Sequence, residues 1–216
     1  MATALFSNQV PTMWSKVAYP SLKPLAAWVD DLVERISFLQ NWNDGGPPPT
    51  YWISGFFFPQ AFLTGTLQNY ARKYKVAIDT VSFAFHVKSQ PPQDVASGPE
   101  DGCFVHGFFL EGAIWDAESC LLSEARPKEL YSQFPMIWLK PEQDRAAPTE
   151  GVYACPAYKT TSRAGTLSTT GHSTNFVLMV ELPSDKPCSG LFHKYAETYS
   201  AHWIQRAVAL FTTLAY

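Results

Sequence analysis

Gly55-Phe56-Phe57-Phe58-Pro59-Gln60-Ala61-Phe62-Leu63-Thr64-Gly65, running directly into Thr66-Leu67-Gln68-Asn69-Tyr70-Ala71-Arg72-Lys73, is the stretch on which the fold turns. Three consecutive phenylalanines are a liability in water unless they are buried. Pro59 behind them cannot sit inside a helix but suits its first turn, because the donor it lacks would be unpaired there anyway. An extended or turning segment therefore becomes a helix at Pro59, with Phe62, Leu63, Thr66, Leu67, Tyr70 and Tyr74 predicted on its buried side.

Upstream, Pro24 suits the first turn of another helix, in which Leu25, Trp28, Val29, Leu32, Ile36 and Leu39 recur at spacings of three and four. Asp31 and Arg35 have i,i+4 spacing and are placed on its polar side, whereas Asp30 and Glu34 repel, so packing rather than local charge has to stabilise it. Asn43-Asp44-Gly45-Gly46-Pro47-Pro48-Pro49 ends the helix, since glycine favours turns and proline removes backbone donors.

Downstream the period changes to two. Val81, Phe83, Phe85 and Val87 alternate with Ser82, Ala84, His86 and Lys88, the pattern of a strand with one face on a core. Further strands are predicted at Cys103 to Glu111, Met136 to Leu139, Val152 to Lys159, Phe176 to Leu182 and His202 to Leu210, with a short helical turn at Pro127-Lys128-Glu129-Leu130. Helices first and antiparallel strands afterwards predict one α+β domain over residues 1–216, with a curled, mostly antiparallel sheet over the N-terminal helices.

Composition bounds the function. A chain of 216 residues that is 46% hydrophobic and 15% aromatic is large enough for a core without a metal or disulfide staple. Sixteen basic against 19 acidic side chains give no electrostatic footprint for nucleic acid or an anionic membrane, and argue against strong direct docking on an acidic filament. Cys103, Cys120, Cys155 and Cys188 have no metal-ligand spacing, so reduced cytosolic thiols are expected. No signal peptide stands at the amino terminus and no apolar run approaches the ~20 residues of a membrane span, so a soluble protein is expected.

The Gly55 to Gly65 run, Tyr19-Pro20-Ser21-Leu22-Lys23-Pro24-Leu25 and Gly165-Thr166-Leu167-Ser168-Thr169-Thr170-Gly171-His172-Ser173-Thr174-Asn175-Phe176 are ordered blocks. So are Phe109-Leu110-Glu111-Gly112-Ala113-Ile114-Trp115-Asp116, Ile137-Trp138-Leu139, Cys155-Pro156-Ala157-Tyr158-Lys159-Thr160 and His202-Trp203-Ile204. Together they closely resemble the C-terminal domain of dynein heavy chains, axonemal type. The resemblance implies a partly open β-barrel with packed helices, acting as a noncatalytic regulatory domain that docks on the ATPase ring of a microtubule motor and modulates ciliary movement. It further implies a place in the cytoplasm, cytoskeleton and cilium axoneme, with dynein intermediate and light chains reached through the larger complex. ATP and magnesium belong by the same implication to the full-length motor, and no cofactor to this chain. Two departures stand out. Cys188 to Ala201 reads as an inserted surface loop, with Phe176 to Leu182 pairing His202 to Leu210 beside it, and Ala207 stands where the family usually has glycine.

An independent ligand-binding or hydrolytic domain is the alternative. Its best candidate is the Gly165 to Asn175 loop, whose glycines and hydroxyls suit a phosphate, but no Lys-Ser or Lys-Thr pair follows spaced glycines as a P-loop requires. His172 beside Ser173 lacks a nucleophile elbow. Glu111 and Asp116, with Trp115 as an apolar wall, would make an acid/base pair only if the fold brought them together. Trp42, Tyr51-Trp52 and Phe56 to Phe58 would line a carbohydrate or peptide groove if not consumed by core packing. The predicted catalytic, cofactor-binding and metal residues are accordingly none.

Overall fold

The structure is a computed structural model that describes residues 6–8, 10–11, 13–14, 17–19, 21–148, 150–165, 174–184 and 199–215. Helix α1 spans Leu25–Gly45, with Pro24 at its N-cap rather than inside the first turn. It stops where the glycines predict: Gly46 takes φ +83° and its N–H returns to the Trp42 carbonyl at 2.9 Å. Strand β1 (Tyr51–Trp52) and one 3-10 turn (Ile53–Gly55) lead into the phenylalanines. Pro59 then opens α2 (Pro59–Tyr74), as predicted.

The buried face of α1 differs from expectation. Leu25 and Trp28 face inward, but so do Asp31 and Arg35, while Val29 is 41% and Ile36 50% exposed. In α2, Leu63 is buried and Phe62, Thr66, Leu67 and Tyr70 are half-buried, whereas Tyr74 is exposed. The three phenylalanines separate in fate. Phe56 stacks on Phe62 with ring centroids 4.3 Å apart, Phe57 meets Tyr19 at 5.5 Å, and Phe58 is left 73% exposed.

Strands β2 (Val81–Lys88), β3 (Cys103–His106) and β8 (Met136–Gln143) join β1 in a first sheet of order β1-β3-β8-β2, in which only the β1–β3 pair is parallel. The predicted strand Cys103 to Glu111 is in fact two. Gly107, at φ +95°, breaks it after β3, and β4 (Phe109–Glu111) continues into a different sheet. A Cβ at Gly107 would stand 2.6 Å from the Trp52 ring, so the bend is open only to glycine. Hairpin β5 (Ala113–Asp116) with β6 (Leu121–Glu124) and the short β7 (Tyr131–Gln133) follow. Instead of the helical turn predicted at 127–130, residues 126–129 form a hydrogen-bonded turn, the Glu129 N–H donating to the Arg126 carbonyl, with Lys128 at φ +69°.

Strands β9 (Val152–Thr160), β10 (Phe176–Pro183) and β11 (Ala209–Thr213) complete a second sheet of order β10-β9-β11-β4-β7. Here two expectations fail together. The predicted strand His202 to Leu210 is a helix, α3 (Tyr199–Gln205), followed by a turn and β11, and β11 pairs with β9 and β4, not with β10. Trp203 explains the helix. It is fully buried, and its indole N–H donates to the Ser184 hydroxyl at 2.7 Å, so this segment is anchored by one ring rather than by alternating side chains. The turn after it puts Ala207 at φ +53°, the left-handed region where glycine is at ease. Residues 188–198 of the predicted insert lie outside the described residues, and residues 199–201 begin α3.

The result is an α+β fold with mixed, mainly antiparallel sheets, none closed into a barrel. One buried cluster lies between them, drawn from Ile53, Val105, Leu110, Ile137, Val180 and Trp203 among others. The two sheets are tied where no backbone ladder joins them. Arg145, past the end of β8, forms a two-pronged ion pair with Glu181 of β10, and α2 is fastened to the same strand by the Gln60 amide, which donates to the Phe176 carbonyl at 2.6 Å.

Candidate functional site

The residues predicted as candidate chemistry do not converge. Glu111, at the end of β4, is ion-paired with Arg163, whose guanidinium also lies 5.2 Å from the Phe211 ring centroid. Asp116, at the end of β5, accepts from the Glu118 N–H at 3.1 Å and the Ser119 hydroxyl at 2.6 Å, capping the hairpin turn. Trp115 packs edge-on against Phe134. The two carboxylates thus serve separate structural tasks. Residues 166–173 of the glycine-rich loop, including His172 and Ser173, lie outside the described residues. Asn175 at its end is buried, and its amide oxygen accepts the Thr160 N–H at 2.9 Å. Among the described residues no group of three metal-ligating side chains is found, and no helix is long and apolar enough to cross a membrane.

Two clefts stand out among the described residues. The larger, about 520 Å3, lies beside the β3–β4 bend and is lined by Lys23, Asp31, Ser54, His106, Tyr131 and Thr213 among others. Serine, histidine and aspartate in one cleft invite a catalytic reading, but each is placed otherwise. Ser54 is hydrogen-bonded to the carbonyls of Gly107, at 2.9 Å, and Thr212, so its proton is already held. Burial holds His106 below the usual imidazole range, and it makes no hydrogen bond to Ser54.

Asp31 accepts from Arg35 Nε at 2.5 Å, Lys23 Nζ at 2.8 Å and the Tyr19 hydroxyl at 2.6 Å. Burial raises its pKa, but these three donors outweigh that effect and hold the carboxyl below its ordinary value. Arg35 reaches further, to the Phe56 carbonyl at 3.3 Å and Thr213 Oγ1 at 3.4 Å, with its guanidinium 4.4 Å from the Tyr19 ring centroid. The pair placed on the polar face by its spacing is therefore a buried lock joining the segment before α1, the phenylalanine turn and the last strand.

The smaller cleft, about 360 Å3, has Trp42, Tyr51 and Phe62 as its floor and the Lys73–Asp101 ion pair, at 2.7 Å, on its rim. These rings contact one another at centroid distances of 4.8 to 6.2 Å and join α1, β1 and α2. Most of the predicted aromatic groove is consumed in this packing.

What remains outward is apolar. Val29, Val33 and Ile36, at i, i+4 and i+7, form a row on α1, 41%, 57% and 50% exposed. Sequence periodicity missed this row because it assigned a single sticky face. The signal was nevertheless there: apolar residues at 25, 28, 29, 32, 33, 36 and 39 cover a wider arc than one buried stripe needs.

Fold and clefts define an α+β domain in which Asp31, Arg35 and Ser54 are held by partners within the fold and whose first helix leaves an apolar row uncovered. Residues 1–212 match the family described as the C-terminal domain of the dynein heavy chain. The sequence is 53% identical over 216 residues to human (Homo sapiens) dynein axonemal heavy chain 1, covering 100% of this chain and 5% of that protein. It is 48% identical over 206 residues to human dynein axonemal heavy chain 3, covering 95% of this chain and 5% of that protein. With human dynein axonemal heavy chain 12 it shares 47% identity over 214 residues, 99% of this chain and 6% of that protein. The protein belongs to the family of C-terminal domains of dynein heavy chains, in its axonemal type. It spans about one-twentieth of the length of these curated relatives.

Proposed function

We propose that this protein acts as a noncatalytic docking and regulatory domain of an axonemal dynein motor, seated on the motor's ATPase ring and tuning microtubule-based movement in the cilium. The observation that carries this reading is the exposed Val29–Val33–Ile36 row on α1, held outward because the opposite face is fixed by the Asp31–Arg35 lock. An apolar row with a rigid backing loses little freedom on docking, so its burial is retained as binding free energy. The paired state of Ser54, Glu111 and Asp116 supports a noncatalytic role. ATP, magnesium and strong microtubule contact then belong to other parts of the motor, and intermediate and light chains are met only through the larger complex.

The test uses a dynein motor that bears this domain. Val33→Asp with Ile36→Asp should change ATPase rate and microtubule gliding velocity while leaving the folding of the domain intact, because both side chains are solvent-facing. Unaltered motility with a folded domain would overturn the docking face. Separately, the 216-residue protein should release no phosphate from ATP and should not co-sediment with microtubules at low salt.

A further inference from the structure

The outer face of the first sheet carries a cluster that the proposed docking through α1 does not use. In the antiparallel register of β2 and β8, His86 faces Trp138, Lys88 faces Met136 and Lys140 faces Ala84. Lys88 and Lys140 therefore lie two residues to either side of the His86–Trp138 pair, in opposite directions along the strands. Their amino groups turn back over the indole, 5.1 Å and 5.8 Å from the Trp138 ring centroid, and the His86 ring lies 5.3 Å away. Phe104 of β3 flanks the same ring at 6.1 Å. The Trp138 N–H donates to the Asp101 carbonyl at 3.0 Å, which fixes the edge of the platform.

Charge on this face runs against the molecule's balance. Lys140 is paired with Glu142 at 2.8 Å, and Glu142 also faces Arg145 at 3.9 Å, whereas Lys88 has no carboxylate partner among the described residues. Burial, then Lys88 and Lys140, and more weakly Arg145, hold His86 below the usual imidazole range, with Glu142 as the one opposing charge. With Arg145 held in turn by Glu181 and Lys140 by Glu142, Lys88 is the cation left over on this face among the described residues, in a protein whose net charge is −3.

We propose that this face binds an extended acidic segment of a partner protein, with Lys88 and Lys140 meeting carboxylates and Trp138 packing against the side-chain stems between them. Residues two apart on an extended strand lie about 7 Å apart and project to the same side, which suits cations flanking a ring along the strand axis. Two lysines and a ring are a small footprint, fitted to a few carboxylates rather than to the many phosphates of a nucleic acid or the plane of a charged bilayer.

The experiment titrates fluorescein-labelled octaglutamate against the full 216-residue protein at low ionic strength, followed by anisotropy. Saturable binding that weakens with salt is expected. The double variant Lys88→Glu with Lys140→Glu should weaken it about tenfold or more, while Lys75→Glu with Lys128→Glu, an equal change of charge at other exposed positions, should weaken it much less. Should the first double variant fail to fold, as judged by circular dichroism, His86→Ala supplies a second readout. In the unaltered protein affinity should rise as pH falls and His86 gains its proton, and this rise should disappear in His86→Ala. Equal losses in the two double variants, absence of saturable binding, or tighter lysine-dependent binding to anionic vesicles or a DNA oligonucleotide of matched charge would each overturn the proposal.

Discussion

At the residue scale, Asp31 carries more of the molecule than its exposed-looking spacing suggests. Its carboxylate is buried with three donors around it, so a neutral isostere would leave Arg35 and Lys23 without their counter-charge in a poorly solvated place. Asp31→Asn should cost about 3–5 kcal/mol in urea unfolding, the scale of a broken buried pair. The pH dependence has a definite sign. Because the folded state holds the Asp31 pKa below its unfolded value of about 3.9, the stabilisation is fully present above that pH and is lost as pH falls through the folded value. Unfolding midpoints measured from neutral pH down to acid should show this loss in the unaltered protein. In Asp31→Asn that part of the slope should vanish, and an unchanged slope would place the acid sensitivity elsewhere.

At the scale of elements, the join between α3 and β11 contains a local conflict. Ala207 holds φ +53°, which costs an L-residue about 1–2 kcal/mol relative to a relaxed backbone, and Val208 directly after it is buried, with its carbonyl accepting the Tyr153 hydroxyl at 2.7 Å. The strain persists because Trp203 on one side and β11 on the other fix the ends of the turn. Ala207→Gly removes it at an entropic cost of about 0.4–1 kcal/mol in the unfolded state, so a net gain of roughly 0.5–1 kcal/mol is expected from denaturation midpoints. A loss of stability would show that the Ala207 methyl makes contacts that outweigh the strain. The same join explains why the final strand was misplaced in sequence. Residues 202–210 carry no clean period of two, and the full burial of Trp203 against Ser184 accompanies the helix that the sequence reading missed.

At the scale of the whole molecule, the core is sealed by layers that come from distant parts of the sequence, so its buried thiols report on global opening. Burial pushes the Cys103 thiol up to about 12 and raises Cys155 likewise, and both are free, whereas Cys120 is exposed in the β5–β6 turn. The thiolate is the reactive form, so peptide-level mass spectrometry after brief iodoacetamide treatment should find Cys120 modified before Cys103 and Cys155. Cys103 and Cys155 should follow only in denaturant, at a rate set by global unfolding. Early modification of Cys103 would mean that the aromatic floor beside it, Tyr51 and Phe62, opens independently of the core.

The family blocks, the two N-terminal helices, the helix stop at Gly45–Gly46, the Pro59 start and the period-two strand at 81–88 were all legible because each is written in local sequence: turn chemistry, a missing donor, or a simple period. The short strands β1, β5, β6 and β7 escaped, since two to four residues carry too little pattern to signal a strand. Tertiary structure alone decided which face of α1 turns inward. Hydrophobic spacing ranks Val29 and Ile36 above Asp31 and Arg35, yet a buried charge pair supplied with further partners from residues 19, 23, 56 and 213 can be retained where an unpaired charge could not. It likewise decided that the 103–111 run belongs to two sheets and that β9 separates β10 from β11. Bends and strand order depend on what stands opposite in space, and that partner is set by segments far away in the sequence.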